Sequence, residues 1–327
     1  MPRRIRQDKP GACYHVLNRG NQPEWIFQDE RAKEAFERTL FEACERAGWK
    51  LHAFGIMSNN FHLAVETPVG NLSEGMRWLQ AVFALRANSF RHASGKIFQG
   101  RFKSLTVENP TRLAWLSHYI HLNPVRAGLC PVDSLSEYRW SSHWYLARKS
   151  ARPPSMQLGT CLAGAGGLKD TPTGHRKYGE YLAWLQEDEV ARQEMAFGKM
   201  SKGWAIGSKD FRKELARDDQ KQQPKIKRTQ AKAKRERETR WAEMLKRCLA
   251  ELNKTKQTAA REPKSAPWKV GTAALMKTQF MITNGWLATH LHMGTDAGVS
   301  RYVTETNAGE RPAAAQILKR LITKIKP

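Results

Sequence analysis

The chain has 327 residues, 40% of them apolar and eleven of them tryptophan, which suffices for a sizeable core and excludes global disorder. Lys and Arg number 55 against 31 Asp and Glu, and the formal net charge of +24 draws polyanions, nucleic acid above all, with an anionic membrane surface as the rival partner. No apolar run approaches the roughly 18–20 residues that span a bilayer, the basic start MPRRIRQDKPG leads into no signal-peptide core, and the five scattered cysteines form no CxxC pair. A cytoplasmic protein is expected, with no membrane partner, no disulfide framework and no cysteine-based zinc site.

In chain order, CYHVLNRG (13–20) reads as a strand ending in a turn. Asp29 then caps a helix in which Ala32, Phe36, Leu40, Cys44 and Ala47 recur at spacings of three and four, and Gly48 suits its C-terminal stop. WKLHAFGIM (49–57) and FHLAVET (61–67) form two strands joined by the polar SNN, which is hairpin spacing. Asn71 with Glu74 makes a capping box for a long helix over about 72–93, ended by Gly95. KIFQGRFKSLTVE (96–108) is a fourth strand, and Pro110 opens a helix that stops before Pro124. The order β-α-β-β-α-β followed by α predicts an α+β, ferredoxin-like βαββαβ sandwich with an antiparallel sheet and helices on one face, a further helix after it and a largely α-helical C-terminal extension.

Two stretches carry candidate chemistry. In an extended strand residues two apart share a face, so Asn60 and His62 point one way while Phe61 enters the core. In a helix residues four apart share a face, which stacks Tyr119 on Asn123. If helix and hairpin meet, an imidazole, two amide oxygens and a phenol share one pocket on a basic protein. A tyrosine beside a divalent cation is a device for breaking a phosphodiester while conserving its energy. His15, His118 and His121 have no ligand-spaced partner on their own elements and read as structural or phosphate-contacting. On the strand FQGRFKS, alternation places Arg101 and Lys103 on one face beside Gln99, where phosphate contact is expected.

In YHVLNRGN (14–21), MSNNFHLAVETP (57–68), FQGRFKS (98–104), YIHLNPVRAGL (119–129) and YRWSSH (138–143) the chain resembles the single-tyrosine HUH transposases, most closely the REP-associated tyrosine transposases. The resemblance implies a metal-dependent nuclease and strand transferase acting on single-stranded or hairpin DNA through a 5′-phosphotyrosine. It makes Tyr119 the nucleophile, His62 the second histidine of the HUH pair and Asn123 the polar residue completing a Mg²⁺ or Mn²⁺ site, with Arg19 and Arg126 as further DNA contacts. Asn60 stands where the family has the first histidine. Its amide oxygen remains a hard ligand that keeps a metal possible, and a lower affinity is expected. A DNA-binding protein whose cleavage is weakened or lost through Asn60 is the alternative reading.

Beyond this first domain (1–150), SARPPSMQLGTCLAGAGGLKDTPTG reads as a linker, followed by auxiliary helical sequence to about 220. Between 221 and 240 nine basic residues face two acidic ones, a charged arm or exposed helix. In the C-terminal region (221–327) GWLATHLHM, a turn at Gly294 and DAGVSRYVTET fit a helix-turn-helix, with Ala288, Leu291, Val299, Tyr302 and Val303 as shared core and Arg301 free to meet DNA; a plain helical hairpin is the rival. Both a monomer and a homodimer are compatible with the sequence.

Overall fold

The computed structural model describes residues 8–21, 26, 27, 29–91, 95–280 and 282–325, and of these the side chains of 219–234 and 236 are not described. The basic start at 1–7, the expected end of the second long helix at 92–94 and most basic side chains of the arm between 221 and 240 lie outside the described residues. Two compact units form, Met1–Ala84 with Gly95–Lys221, and Leu85–Ser94 with Gln222–Pro327.

The first unit follows the order read from the sequence: β1 (Ala12–Arg19), α1 (Glu30–Ala47), β2 (Lys50–Ile56), β3 (Asn60–Thr67), α2 (Leu72–Phe90), β4 (Lys103–Val107) and α3 (Pro110–Arg126). Asp29 accepts the Ala32 N–H at 3.0 Å, and Gly48 closes α1 in the left-handed region that only glycine adopts freely (φ 64°). The capping box at Asn71 does not form. Its side chain instead accepts from the Trp49 indole at 2.9 Å and donates to the Ala47 carbonyl at 3.0 Å, while Asp8 takes the Ser73 N–H of α2. An amide with both a donor and an acceptor thus ties the end of α1 to the start of α2, a task a simple cap leaves undone.

The sheet order is β2-β3-β1-β4, all antiparallel, as the split βαβ plan requires. A two-residue strand, β5 (Ala205–Ile206), then adds itself parallel to β4 and makes the sheet mixed. Tyr14, Val16, Phe61, Leu63 and Val65 are buried on one face, where Phe61 meets Phe36 of α1 at 4.7 Å and Phe98 at 5.9 Å. His15, His62 and Gly55 share the opposite face with α3. A Cβ at Gly55, which pairs with His62, would sit 3.4 Å from the Ile120 carbonyl oxygen, so glycine lets helix and sheet approach closely.

Two boundaries differ from expectation. Regular pairing begins only at Lys103, because Gly100 turns the chain with a φ of 121° and before it only Phe98 bridges Gly20. The helix α3 runs through Pro124 to Arg126. Proline deletes one helical N–H, and with Ala127, Gly128 and Leu129 donating back to Asn123, Val125 and Pro124 at 2.9 Å each, the end is closed within a turn.

The Gly- and Pro-rich run after 150, expected as a linker, is packed. Leu51 bridges Met156, and Leu158, Cys161 and Leu162 are buried. Three short helices follow, α4 (Gly159–Gly164), α5 (Pro172–Glu187) and α6 (Glu189–Glu194), before the chain returns to the sheet edge as β5.

Helix α7 (Lys209–Glu251) leads into α8 (Lys256–Arg261), α9 (Pro267–Phe280), α10 (Asn284–His290), α11 (Asp296–Asn307) and α12 (Pro312–Lys324). In the second unit α9 is nearly enclosed, and a Cβ at Gly271 would meet the Ala314 carbonyl oxygen and Ile317 at 2.8 Å, which fixes how closely α12 crosses it. Helices α10 and α11, capped by Thr283 and Thr295, flank a turn at Gly294 (φ 89°). Ala288, Leu291, Val299 and Val303 are buried between them and α9, with Tyr302 partly so. Among the described residues no helix is long and apolar enough to cross a membrane.

Candidate active site

The sequence sets two polar residues at the start of β3 and a phenol and an amide one turn apart on α3, and the fold brings these pairs together. The hairpin closes with Met57 donating to Asn60 at 2.8 Å, and Gly20 donates to Asn59 at 2.9 Å, which pins the turn to the end of β1. Tyr138, Arg139 and Ser142 hold the far side of this scaffold. Tyr138 donates to the Ile56 carbonyl at 2.9 Å, Ser142 takes the Phe54 N–H at 2.9 Å, and Arg139 grips the buried Glu37 through two bonds of 2.6 and 2.7 Å. YRWSSH is therefore a brace for β2 and α1.

Asn60, His62, Tyr119 and Asn123 line one cavity of about 910 Å³ together with Arg19, Gln99, Arg101, Lys103 and Arg126. No carboxylate is among its lining residues within the described part of the chain. The Tyr119 ring stands edge-on to His62 and to His15, each at 6.0 Å between centroids, and to Phe197 at 5.5 Å. The Arg126 guanidinium lies 5.1 Å from the centre of the same ring. Although 98–102 is not regular strand, Phe98 and Phe102 are buried alternately with exposed Gln99 and Arg101, so these two and Lys103 still reach the cavity. Arg19 bonds Gln99, and Lys103 donates to the Ser201 carbonyl at 2.7 Å.

His62 is 8% exposed and its Nδ1 lies 2.9 Å from His15 Nε2, while His15 Nδ1 lies 2.8 Å from the Met200 carbonyl oxygen. Burial pushes the His15 imidazole down to about 4, and burial, then His15, then Arg126 hold His62 well below its ordinary value, so both are neutral near pH 7. Asn60 Oδ1 is buried with no hydrogen-bond partner among the described residues, as is Asn123 Nδ2. Leaving such atoms unmade costs roughly 1–3 kcal/mol each. A neutral imidazole, an unpartnered amide oxygen and a second amide that presents oxygen after a half-turn suit a divalent cation with waters and phosphate oxygens completing its shell.

Arg301 belongs to the second unit, exposed on α11, where it pairs with Glu305 at 3.5 Å and covers the Tyr302 ring. His118 and His121 do not face the cavity; both bond the Tyr178 hydroxyl at 2.9 Å inside the protein. His15, Phe197, Met200 and Ser201 are site residues that the sequence reading missed. His15 needed the cross-strand register that sets Leu17 opposite His62, and residues 197–201 carry no local signal.

Among the described residues, Cys13, His52 and Glu66 also gather potential ligand atoms within 4.8 Å. Two of the three are already bonded to other groups. Glu66 accepts from Lys50 at 2.8 Å and meets His52 at 3.2 Å, His52 meets Thr160 at 2.8 Å, and burial, then Glu66, push the Cys13 thiol up to about 11.

Residues 9–123 match the family described as Transposase IS200 like. A solved structure of a REP-associated tyrosine transposase bound to a REP hairpin is 18% identical over 46% of this chain and 87% of its own, with a TM-score of 0.38. No curated protein matches the chain.

Proposed function

We propose that the chain, whose residues 9–123 match the IS200-like transposase family, cleaves and rejoins single-stranded DNA beside hairpins, with Tyr119 as nucleophile and His62, Asn60 and Asn123 as holders of Mg²⁺ or Mn²⁺. The Tyr119 oxygen bonds to phosphorus as the P–O3′ bond breaks. The proton lost by the phenol is matched by one gained at the departing 3′ oxygen, and a 5′-phosphotyrosine conserves the bond energy for rejoining. The ion, when bound, polarises the scissile phosphate. Arg19, Gln99, Arg101, Lys103 and Arg126 meet the anionic backbone and set the register of the strand on the cavity.

The observation that supports this most is the joint lining of one cavity by Tyr119, His62, the Asn60 oxygen and four cations, with no acid and no partner for that oxygen among the described residues. Incubation with hairpin-bearing single strands and Mn²⁺, followed by a denaturing gel, should give a covalent protein–DNA adduct that chelator removes. The second reading, a DNA-binding protein with weakened cleavage, is favoured by the amide at 60. Asn60→His should raise adduct yield without altering DNA affinity if that amide is the weak ligand. A wild type that forms no adduct, together with an Asn60→His variant that does, selects the second reading.

In the second unit, α10, the Gly294 turn and α11 serve as a helix-turn-helix with α11 as the reading helix. The exposed Arg301 at its second turn contacts DNA. Arg301→Ala should weaken binding to the target and leave the adduct chemistry on bound strands unchanged; unaltered affinity rejects that role.

A further inference from the structure

We propose that His15 is a positioning residue that holds His62 as its Nδ1–H tautomer and so presents the bare Nε2 nitrogen of His62 to the metal. The proposal rests on the reading of His62 as a ligand, but its first half concerns the protein alone.

The argument starts from a group with only one possible role. The Met200 carbonyl oxygen can only accept, so at 2.8 Å the His15 Nδ1 carries the hydrogen. A neutral imidazole has one N–H, which leaves His15 Nε2 as a lone pair. That lone pair sits 2.9 Å from His62 Nδ1, which must therefore donate. His62 has then spent its single hydrogen inward, and its Nε2 is free to ligate. The other tautomer of His62 would set two lone pairs against each other at the same 2.9 Å, inside a wholly buried contact. The two rings lie 26° from parallel with centroids 5.1 Å apart, which keeps the link in line.

The arrangement matters here more than in a site with two imidazoles. Position 60 is an amide, so among the described residues His62 is the one imidazole lining the cavity, and the nitrogen-donor capacity of that lining depends on which of its atoms is protonated. It also gives the segment 197–201 a function. Met200 anchors the relay, Ser201 holds Lys103, and the Phe197 ring stands against Tyr119. These residues lie roughly eighty positions beyond the nucleophile and outside the family match, yet they hold a ligand, a cation and the phenol.

The test is long-range ¹H–¹⁵N correlation on the metal-free full chain labelled at histidine, in wild type, His15→Leu and His15→Gln. Wild type should show His62 with a protonated Nδ1 and an unprotonated Nε2. His15→Leu keeps the volume and removes the acceptor, and should move His62 toward the Nε2–H form and weaken Mn²⁺ binding by roughly 10- to 100-fold, the range usual for a lost outer-shell partner. His15→Gln can accept from His62 and donate to Met200, and should restore both readouts. A wild-type His62 protonated at Nε2, or a His15→Leu protein whose His62 stays Nδ1–H, overturns the proposal. Should the leucine variant not fold, the wild-type and glutamine spectra decide alone, and a glutamine variant whose His62 carries its hydrogen on Nε2 overturns it. Wild type that shows the Nδ1–H form but takes up no Mn²⁺ refutes the metal reading and leaves the role of His15 standing.

Discussion

Helix α3 packs against two clusters of histidine and tyrosine that are close to identical in chemistry and differ in what covers them. On one side, Ser142 donates to the Phe54 carbonyl at 3.2 Å and bonds His121 Nε2 at 2.7 Å, and the Tyr178 hydroxyl bridges the Nδ1 atoms of His121 and His118 at 2.9 Å each. On the other, His15 donates to Met200 and His62 donates to His15. Each chain begins at a backbone carbonyl and ends on an imidazole. The difference is what lies over that last ring. His118 Nε2 is sealed beneath α4, where a Cβ on Gly164 would come within 3.3 Å of it, whereas His62 opens on the cavity beside Tyr119. Residue type alone does not tell the two clusters apart; what lies over the end of the hydrogen-bond chain does.

The largest test of that contrast exchanges the two phenols. Tyr119→Phe keeps the ring contacts and should abolish the DNA adduct on a denaturing gel, with thermal stability nearly unchanged. Tyr178→Phe should do the reverse. It leaves two imidazole nitrogens without their partner, which costs about 1–3 kcal/mol for each and reads out in urea unfolding, while adduct yield per folded molecule stays at the wild-type level. An adduct that survives Tyr119→Phe, or is lost in a stable Tyr178→Phe protein, would reverse the assignment of the two clusters.

A smaller effect follows from acid. Burial holds His118 and His143 down at about 4, against roughly 6.5 for histidine in an unfolded chain. The unfolded state therefore binds more protons between these values, and a depressed group of this kind stabilises the fold fully above pH 6.5 and loses that contribution as pH falls toward 4. Urea midpoints of the first unit should fall between pH 7 and pH 5. In the second unit, where no histidine is buried among the described residues, the midpoint should move less. Equal acid sensitivity of the two units would remove the closed cluster from the account.

What the sequence made legible follows the same division. Local periodicity placed α1, the β2–β3 hairpin and α3, and side-chain direction on one strand and one helix placed Asn60, His62, Tyr119 and Asn123 toward a common point. It could not see Asn71 turning away from its cap toward Trp49, because that choice depends on a partner 22 residues distant. Pro124 read as a stop, yet the helix loses only one N–H there and closes within a turn. A strand of two residues such as β5 has no periodicity to detect, and the value of His15 lies in a neighbour on the next strand and a carbonyl 185 residues away.

The pairing of β4 with β5 has a consequence for how the protein is made. Thr106 donates to Trp204 at 3.1 Å and Glu108 to Ile206 at 3.0 Å, so the outer edge of the sheet closes only when residue 206 is in place, and Met200 and Ser201 arrive just before it. A ribosome adding roughly 5–20 residues per second takes several seconds to travel from the tyrosine helix to that point. During that interval the nascent chain carries Tyr119 without the Met200 and Ser201 carbonyls that hold His15 and Lys103. The cavity around Tyr119 is in this way completed only after the sheet and helices that carry it have been made.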